Sequence, residues 1–89
     1  MKNNDDRLRE RLRFRSWHRG TREIDLLLGS FADAHLPHFT LAELRAYDAV
    51  LQHSDPDLYN WITGTEAVPA EHNSEVMRLV TAHRFAVQN

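Results

Sequence analysis

Residues 18–25 bring two guanidinium groups and two carboxylates together around a glycine: Arg19, Arg22, Glu23, Asp25 and Gly20. Ion pairing and hydrogen bonding are the chemistry open to these groups. A structural interpretation accounts for part of the pattern, because Gly20 suits a turn between two helices and Glu23 suits the first turn of the second helix. Arg19 and Glu23 could also pair, worth about a few tenths of a kcal/mol if both lay on one helix. This structural interpretation does not explain why so many charged residues lie beside an apolar helix. Residues 18–25 are therefore the candidate functional segment.

The six histidines give no metal-binding pattern. His35 and His38 flank Pro37, so they cannot share a regular helical turn, and the sequence has no His-x-x-x-His pair. The chain has no cysteine, which excludes disulfides, a thiolate nucleophile and cysteine-ligated zinc or iron–sulfur sites. We therefore expect no bound metal, and surface or capping roles for the histidines at positions 18, 35, 38, 53, 72 and 83.

The sequence also lacks the common catalytic and nucleotide-binding motifs. None of its serines lies in a Gly-x-Ser-x-Gly turn, and neither Gly-x-x-x-x-Gly-Lys nor Gly-x-Gly-x-x-Gly occurs. The acidic pair Asp55 and Asp57 fits helix capping better than acid–base catalysis. We expect no catalytic residues, and an independent enzyme is the weakest hypothesis.

Length and charge distribution favour a small binding protein. The chain has 89 residues, enough for one domain, and 42% apolar and 27% charged residues. Its net charge is −2, yet eight of its eleven basic residues lie among the first 22. That basic segment, with Phe14 and Trp17, could contact nucleic acid, but the overall acidity favours a protein partner. The polar N-terminus and the absence of long apolar runs predict a cytoplasmic protein that does not insert into membranes.

Helical spacing runs through the whole chain and predicts an all-α, compact five-helix antiparallel bundle in a single domain, residues 1–89. The first helix covers residues 6–18, with Leu8 and Leu12 on one side. Because a helix turns 100° per residue, its arginines divide between two nearly opposite sides: Arg7, Arg11 and Arg15 on one, Arg9 and Arg13 on the other. The second helix runs from about Glu23 to Leu36 before Pro37, and it presents Ile24, Leu27, Leu28 and Phe31.

Capping signals place the remaining three helices. Thr40 and Glu43 form a capping box before the third helix, with Phe39 and Leu44 at the hydrophobic-staple positions. Asp55 is the expected N-cap of the fourth helix, which ends at Gly64 and buries Leu58, Trp61 and Ile62. The fifth begins near residues 73–74 and presents Val76, Leu79, Val80, His83 and Val87. Residues 1–5 are expected to be disordered and residues 65–71 to form a loop.

Two motifs in this chain resemble those of the succinate dehydrogenase assembly factors, also called FAD assembly factors. Arg19-Gly20-Thr21-Arg22-Glu23 matches the family's Arg-Gly-x-x-Glu motif. The segment Asp55-Pro56-Asp57-Leu58-Tyr59-Asn60-Trp61 resembles its Asp-Pro-Asp-Leu-x-x-Trp segment. The order and spacing of the motifs also fit, over roughly residues 7–87. Thr21 departs from the bulky apolar residue that is frequent at its position.

The resemblance implies a non-enzymatic factor, monomeric when free, that binds the flavoprotein subunit of succinate dehydrogenase or fumarate reductase. Such a factor promotes covalent attachment of FAD to a histidine of that subunit and itself holds no cofactor stably. The implied contact residues are Arg19, Gly20 and Glu23, then Arg22 and Asp25, with Trp17, His18 and Asp57 as secondary candidates. The alternative from the residues alone is a small nucleic-acid-binding protein that uses the arginine-rich first helix.

Overall fold

Five α-helices follow one another along residues 3–83, the part of the chain that the computed structural model describes. One-turn 3-10 helices at Leu36–His38 and Ala70–His72 precede the third and fifth α-helices, and none of the described residues lies in a strand. The all-α prediction and the number of helices are confirmed. The α-helices are α1 (Asn4–Trp17), α2 (Arg22–His35), α3 (Leu41–Leu51), α4 (Asp55–Thr63) and α5 (Glu75–Ala82).

Each helix begins at a residue whose side-chain oxygen accepts a backbone N–H of the first turn. The predicted capping box of α3 is present, with the Glu43 N–H donated to Thr40 Oγ1 at 3.2 Å and the Thr40 N–H donated to Glu43 Oε1 at 2.8 Å. The predicted N-cap of α4 was wrong by one position: Ser54 Oγ accepts the Asp57 N–H at 3.2 Å, and Asp55 lies inside the helix. The other caps are Asn3, Thr21 and Ser74.

The ends of the predicted elements moved by a few residues. Asn3 Oδ1 accepts the Asp6 N–H at 2.8 Å, and α1 begins at Asn4, two residues before the predicted start. The expected loop at residues 65–71 contains the start of a 3-10 turn. Gly64 ends α4 with φ 81°, in the left-handed region, as predicted.

The core lies where the inward faces of the helices meet; Leu27 packs against it as predicted, and Leu79 was assigned to it wrongly. Leu27 is only half-buried, whereas its neighbour Leu28 is fully buried. Leu79 is 40% exposed, and Met77 is buried in its place. Val87 lies outside the described residues. The predicted inward residues that are buried are Ile24, Leu28, Phe31, Leu44, Leu58, Trp61, Ile62, Val76 and Val80.

Helix α1 packs against α2 and α3 through few apolar side chains, because its surface is almost uniformly polar. Leu12 is fully buried and Leu8 only partly. Ser16 is also fully buried; its Oγ lies 2.7 Å from the Leu12 carbonyl oxygen and 2.6 Å from the Tyr47 hydroxyl. Burial raises the pKa of Tyr47 to about 12. A pair of hydrogen-bonded hydroxyl groups therefore joins α1 to α3.

Within residues 3–83, no helix combines the length and apolar character that a bilayer crossing requires. Helix α5 packs against α3 and α4, and the Arg19 side chain bonds to the Leu51 and His53 carbonyls between α3 and α4. This arrangement brings the α1–α2 junction beside the α3–α4 junction.

Candidate partner-binding corner

The turn between α1 and α2 is held by its own side chains. Gly20 has φ 120°, a conformation that side-chain-bearing residues rarely adopt, and no atom lies where its Cβ would be. Asp25 Oδ1 accepts the backbone N–H of Arg19 at 2.6 Å and that of Gly20 at 3.3 Å. Glycine is therefore needed here for the path of the chain, and Asp25 stabilises that path from the first turn of α2. We call residues 18–25 the α1–α2 corner.

The Arg19 side chain joins this corner to the α3–α4 junction. Its Nε donates to Asp55 Oδ1 at 2.8 Å, its Nη1 to the Leu51 carbonyl at 2.7 Å, and its Nη2 to the His53 carbonyl at 2.8 Å. The side chain is only 14% exposed. Arg19 therefore pairs with Asp55 and not with Glu23, and its guanidinium is engaged within the chain instead of facing a partner as predicted.

Two charged side chains of the corner are left free on its surface. Arg22 and Glu23 are exposed, and neither side chain forms a hydrogen bond or ion pair with any residue from 3 to 83. Thr21, and not Glu23, caps α2, with its Oγ1 at 3.5 Å from the Ile24 nitrogen. These two groups are therefore available to a partner, and their roles stay a prediction.

Glu23 lies at the edge of a shallow groove between α2 and α4. One wall of this groove belongs to the first motif and the other wall to the second, so the two motifs share one surface. Tyr59 is 42% exposed and supplies apolar surface in the groove. The lining residues are Thr21, Glu23, Ile24, Asp55, Pro56, Tyr59 and Asn60.

The secondary candidates Trp17 and His18 lie on the other side of the corner. The Trp17 indole packs directly over the backbone of Gly29, and its Nε1 donates to Asp33 Oδ1 at 3.3 Å. The His18 ring stacks on Phe14 with 4.0 Å between the ring centroids. A second shallow groove runs from these rings past Gly20, and its lining residues are Trp17, His18, Gly20, Thr21, Arg22, Asp25 and Leu26.

Asp57 lines neither of the two grooves of the corner. It is exposed in the first turn of α4, where a carboxylate stabilises the positive end of the helix dipole. Trp61 is 7% exposed and packs in the core, as expected of a residue that holds α4 in place.

Two residues that shape this surface, Leu26 and Gly29, were not predicted from the sequence, and Phe14 was considered there only as a nucleic-acid contact. Phe14 is 63% exposed and Leu26 is 41% exposed, and both supply apolar surface next to the corner. Gly29 could have been noticed, because a glycine inside a helix costs about 1 kcal/mol relative to alanine and usually has a packing reason. Its partner Trp17 is on another helix and could not be read from local spacing.

Two pairs of histidine rings line neither groove of the corner. The rings of His53 and His72 are 4.4 Å apart beside Trp61, and burial followed by the neighbouring His72 lowers the pKa of His53. The rings of His35 and His83 are 5.8 Å apart. Among residues 3–83, no three His, Asp or Glu side chains are grouped so that they could hold a metal ion.

Comparison with known proteins identifies the family. Residues 10–84 match the family described as "Flavinator of succinate dehydrogenase". Over 78 residues, covering 88% of this chain and 55% of the relative, the chain is 45% identical to succinate dehydrogenase assembly factor 2, mitochondrial, of Dictyostelium discoideum.

A bacterial and an insect relative show the same similarity. The chain is 39% identical over 70 residues to the FAD assembly factor SdhE of Acetobacter pasteurianus, covering 79% of this chain and 64% of that protein. It is 38% identical over 77 residues to succinate dehydrogenase assembly factor 2-A, mitochondrial, of Drosophila yakuba, covering 84% of this chain and 48% of that protein. The chain thus spans about half to two thirds of the length of these relatives. With both motifs in place, this chain belongs to the flavinator of succinate dehydrogenase family, a family of assembly factors and not of catalytic enzymes.

Proposed function

We propose that this chain binds the flavoprotein subunit of succinate dehydrogenase at the α1–α2 corner and promotes covalent attachment of FAD to a histidine of that subunit. The related subunit of fumarate reductase is a client of the same chemical kind. The single observation that carries the proposal is the free state of Glu23 and Arg22. They are exposed on a turn whose other polar groups are bound within the chain.

The rigidity of the corner supports its use as a binding surface. Asp25 holds the turn, and Arg19 holds the turn against α4. Groups presented by a preorganised backbone lose less conformational entropy on binding, so more of the interaction energy remains as affinity. Arg19 and Asp25 are thus positioning residues in this proposal, and Gly20, Arg22 and Glu23 are contact residues.

Positioning alone is a sufficient mechanism for a factor without catalytic residues. Holding two reacting groups in the productive geometry contributes up to about 7–11 kcal/mol in favourable cases. A factor that binds the client and restrains its domains therefore accelerates the client's own bond formation. FAD in this scheme is a substrate of the client, and the shallow grooves of the corner contact the client protein and do not enclose a flavin.

The nucleic-acid alternative loses support from the ion pairs of α1. Arg9, Arg13 and Arg15 lie within 2.9 Å of the carboxylates of Asp6, Asp33 and Asp48 respectively. A nucleic-acid surface needs cations that are free to neutralise phosphates. Three of the five arginines in this helix are occupied, so the helix carries much less free charge than the sequence indicates.

The test replaces Glu23 by glutamine and measures covalent flavin on the client. Cells that lack the wild-type gene receive Glu23→Gln, and ultraviolet fluorescence of the denatured flavoprotein subunit in a gel reports flavinylation. We expect fluorescence to fall towards the level of the deletion strain, with the melting temperature of the purified variant close to wild type.

Glu75→Gln is the matched control, because Glu75 is also an exposed carboxylate in the first turn of a helix. It should leave fluorescence unchanged. Normal flavinylation with Glu23→Gln would remove the corner from the proposal, and normal flavinylation in the deletion strain itself would overturn the proposed function.

A further inference from the structure

The five arginines at alternate positions of α1 form two sets. The occupied arginines are paired with carboxylates of this chain, and the free arginines are not. Arg9 binds Asp6 and also donates to the carbonyls of Leu36 and Phe39 at 2.7 and 3.0 Å. Arg13 and Arg15 pair with α2 and α3 carboxylates as described above. By contrast, the exposed guanidinium groups of Arg7 and Arg11 form no hydrogen bond or ion pair with any residue from 3 to 83. The occupied arginines hold α1 in place, and the free arginines have no structural task in the fold.

The free arginines share one helix face with two exposed rings. Positions 7, 11 and 14 fall on one side of a helix with 3.6 residues per turn, and His18, just after the end of α1, stacks on Phe14 at the same side. That side is opposite the buried Leu12 and Ser16. The face carries Arg7, Arg11, Phe14 and His18, and we call it the α1 outer face.

Phe14 is the apolar centre of this face. Its side chain is 63% exposed, the highest exposure among the large apolar residues of the described chain, and the stacked His18 ring holds it in one position. The Nδ1 of His18 lies 2.7 Å from the Phe14 carbonyl oxygen, which fixes the second ring as well. An exposed aromatic ring next to free arginines has the composition found at protein-binding hot spots.

The α1 outer face is continuous with the α1–α2 corner. Trp17 and His18 line the groove that contains Phe14, and they also line the groove that passes Gly20 and Arg22. A protein seated on the corner would therefore meet Phe14 next along the surface, with Arg11 one helical turn before Phe14 in α1.

We propose that the α1 outer face is a second contact site for the client flavoprotein and that it takes an acidic segment with an apolar side chain. The carboxylates of that segment pair with Arg7 and Arg11, and its apolar side chain packs on Phe14. This inference rests on the proposed function and extends the contact surface beyond the recognised motif. Guanidinium groups bind carboxylates through paired, charge-assisted hydrogen bonds, which gives the site its preference for an acidic segment.

Charge around Phe14 favours a protein over a nucleic acid here. The groove beside Phe14 also contains the carboxylates of Glu10 and Asp33. Arg13, which pairs with Asp33, lines the same groove, so the groove presents charges of both signs. A peptide can match cations and anions separately, whereas a phosphate backbone carries only negative charge.

The test measures the affinity of the purified client subunit for charge-reversed full-length variants. The double variant Arg7→Glu/Arg11→Glu should raise the Kd about tenfold or more, because attraction to the client's carboxylates becomes repulsion. The Kd of this variant should also change less with salt concentration than that of wild type. Phe14→Ser should also raise the Kd, but the dependence of its Kd on salt concentration should stay like that of wild type. Arg45→Glu is the matched control, since Arg45 is an exposed arginine of α3, and it should change the Kd less than about twofold. Circular dichroism of each variant checks that the helices are intact.

The outcomes separate this inference from the proposed function. Wild-type affinity in both α1 variants, with Glu23→Gln still defective in flavinylation, overturns the second site alone. No binding of the wild-type chain to the client overturns the proposed function. Salt-sensitive binding of wild type to single-stranded RNA or duplex DNA that Arg7→Glu/Arg11→Glu abolishes, with client affinity unchanged, assigns the face to nucleic acid and also overturns the inference.

Discussion

Arg19 and Asp55 lie 36 positions apart in sequence, and their Nε and Oδ1 atoms are 2.8 Å apart. Arg19 opens one of the two sequence motifs and Asp55 opens the other. The motifs are therefore two halves of one structural unit, in which the α1–α2 turn is fixed on the N-terminus of α4. The same guanidinium also binds the carbonyls of Leu51 and His53, which would otherwise be unsatisfied between α3 and α4.

The bonds of Arg19 predict a large loss of stability when it is replaced. Arg19→Ala should lower the free energy of unfolding by about 1.5–3 kcal/mol, the range for hydrogen bonds to a charged group. Arg19→Lys should recover part of this loss, because it keeps the charge but cannot reproduce the planar set of donors. Urea unfolding measures both values. Arg22→Ala, at a free neighbouring arginine, should change stability by less than about 0.5 kcal/mol. Equal effects at the two positions would contradict the structural role of Arg19.

The contact between Trp17 and Gly29 predicts a local change without a change of fold. The Cβ of Gly29→Ala would overlap the six-membered ring of the Trp17 indole, so the ring must leave its place on α2. Alanine favours the helix by about 1 kcal/mol, and overpacking costs about 1–3 kcal/mol, so the net change in stability should be small or moderately negative.

The indole N–H resonance of Trp17 in nitrogen-15 spectra reports the displacement, since this group donates to Asp33. Ala34→Gly on the exposed side of α2 is the control, and it should lower stability while the resonance stays in place. An unmoved resonance in Gly29→Ala would show that the indole does not lie on Gly29.

Two adjacent leucines of α2 should differ sharply in their effect on stability. Leu28 is fully buried, so Leu28→Ala should cost about 2–5 kcal/mol through lost burial and the cavity left behind. Leu27 is half-buried, so Leu27→Ala should cost less than half as much. Denaturant unfolding of the two variants at one temperature makes the comparison. A larger loss at Leu27 would mean that α2 is rotated relative to the core described above.

Histidine burial predicts that the folded protein loses stability as the solution becomes acidic. Burial first, then a neighbouring histidine, lowers the pKa of His35, His53 and His83 below 6.5. The unfolded chain therefore takes up protons at a higher pH than the folded chain does. The stabilising contribution is complete above about pH 6.5 and is lost as the pH falls through the lowered values.

Urea unfolding at pH 7.5, 6.5 and 5.5 should show the midpoint decreasing with pH. His53→Gln should reduce this dependence. The His53 ring faces His72 and Trp61, and burial and His72 lower its pKa. Asp57 raises the pKa of His53 and offsets this lowering only in part. A midpoint that rises on acidification would contradict the lowered pKa values.

Local sequence signals were sufficient to predict the helices. The arrangement of the candidate site depends instead on contacts between residues that are far apart in sequence. The capping box at Thr40 and the glycine at position 64 act within one helical turn, so their roles follow from the sequence. At the start of α4, Ser54 and Asp55 are both good caps, and nothing local indicates that Asp55 is drawn to Arg19. The role of Arg19 could not be predicted for the same reason.

The faces of α1 illustrate a second limit of sequence reasoning. Arginine at every other position gives no preferred side, and hydrophobic periodicity in this helix is weak. Which arginines are free depends on carboxylates of α1 itself, at Asp6, and of two other helices, at Asp33 in α2 and Asp48 in α3. The sequence predicts the presence of charge in α1, and only the folded chain distinguishes occupied from free groups.

The hydrogen-bonded hydroxyl groups of Ser16 and Tyr47 determine how α1 is rotated about its own axis. Turning this helix about its long axis by a single residue, about 100°, would bring Arg15 or Trp17 to the Tyr47 hydroxyl, and neither could take the place of a small hydroxyl-bearing side chain there. One polar contact in the interior thus permits a single rotational setting of an otherwise weakly amphipathic helix. What the protein displays to the outside along α1 is dictated by an oxygen–oxygen contact of 2.6 Å at its centre.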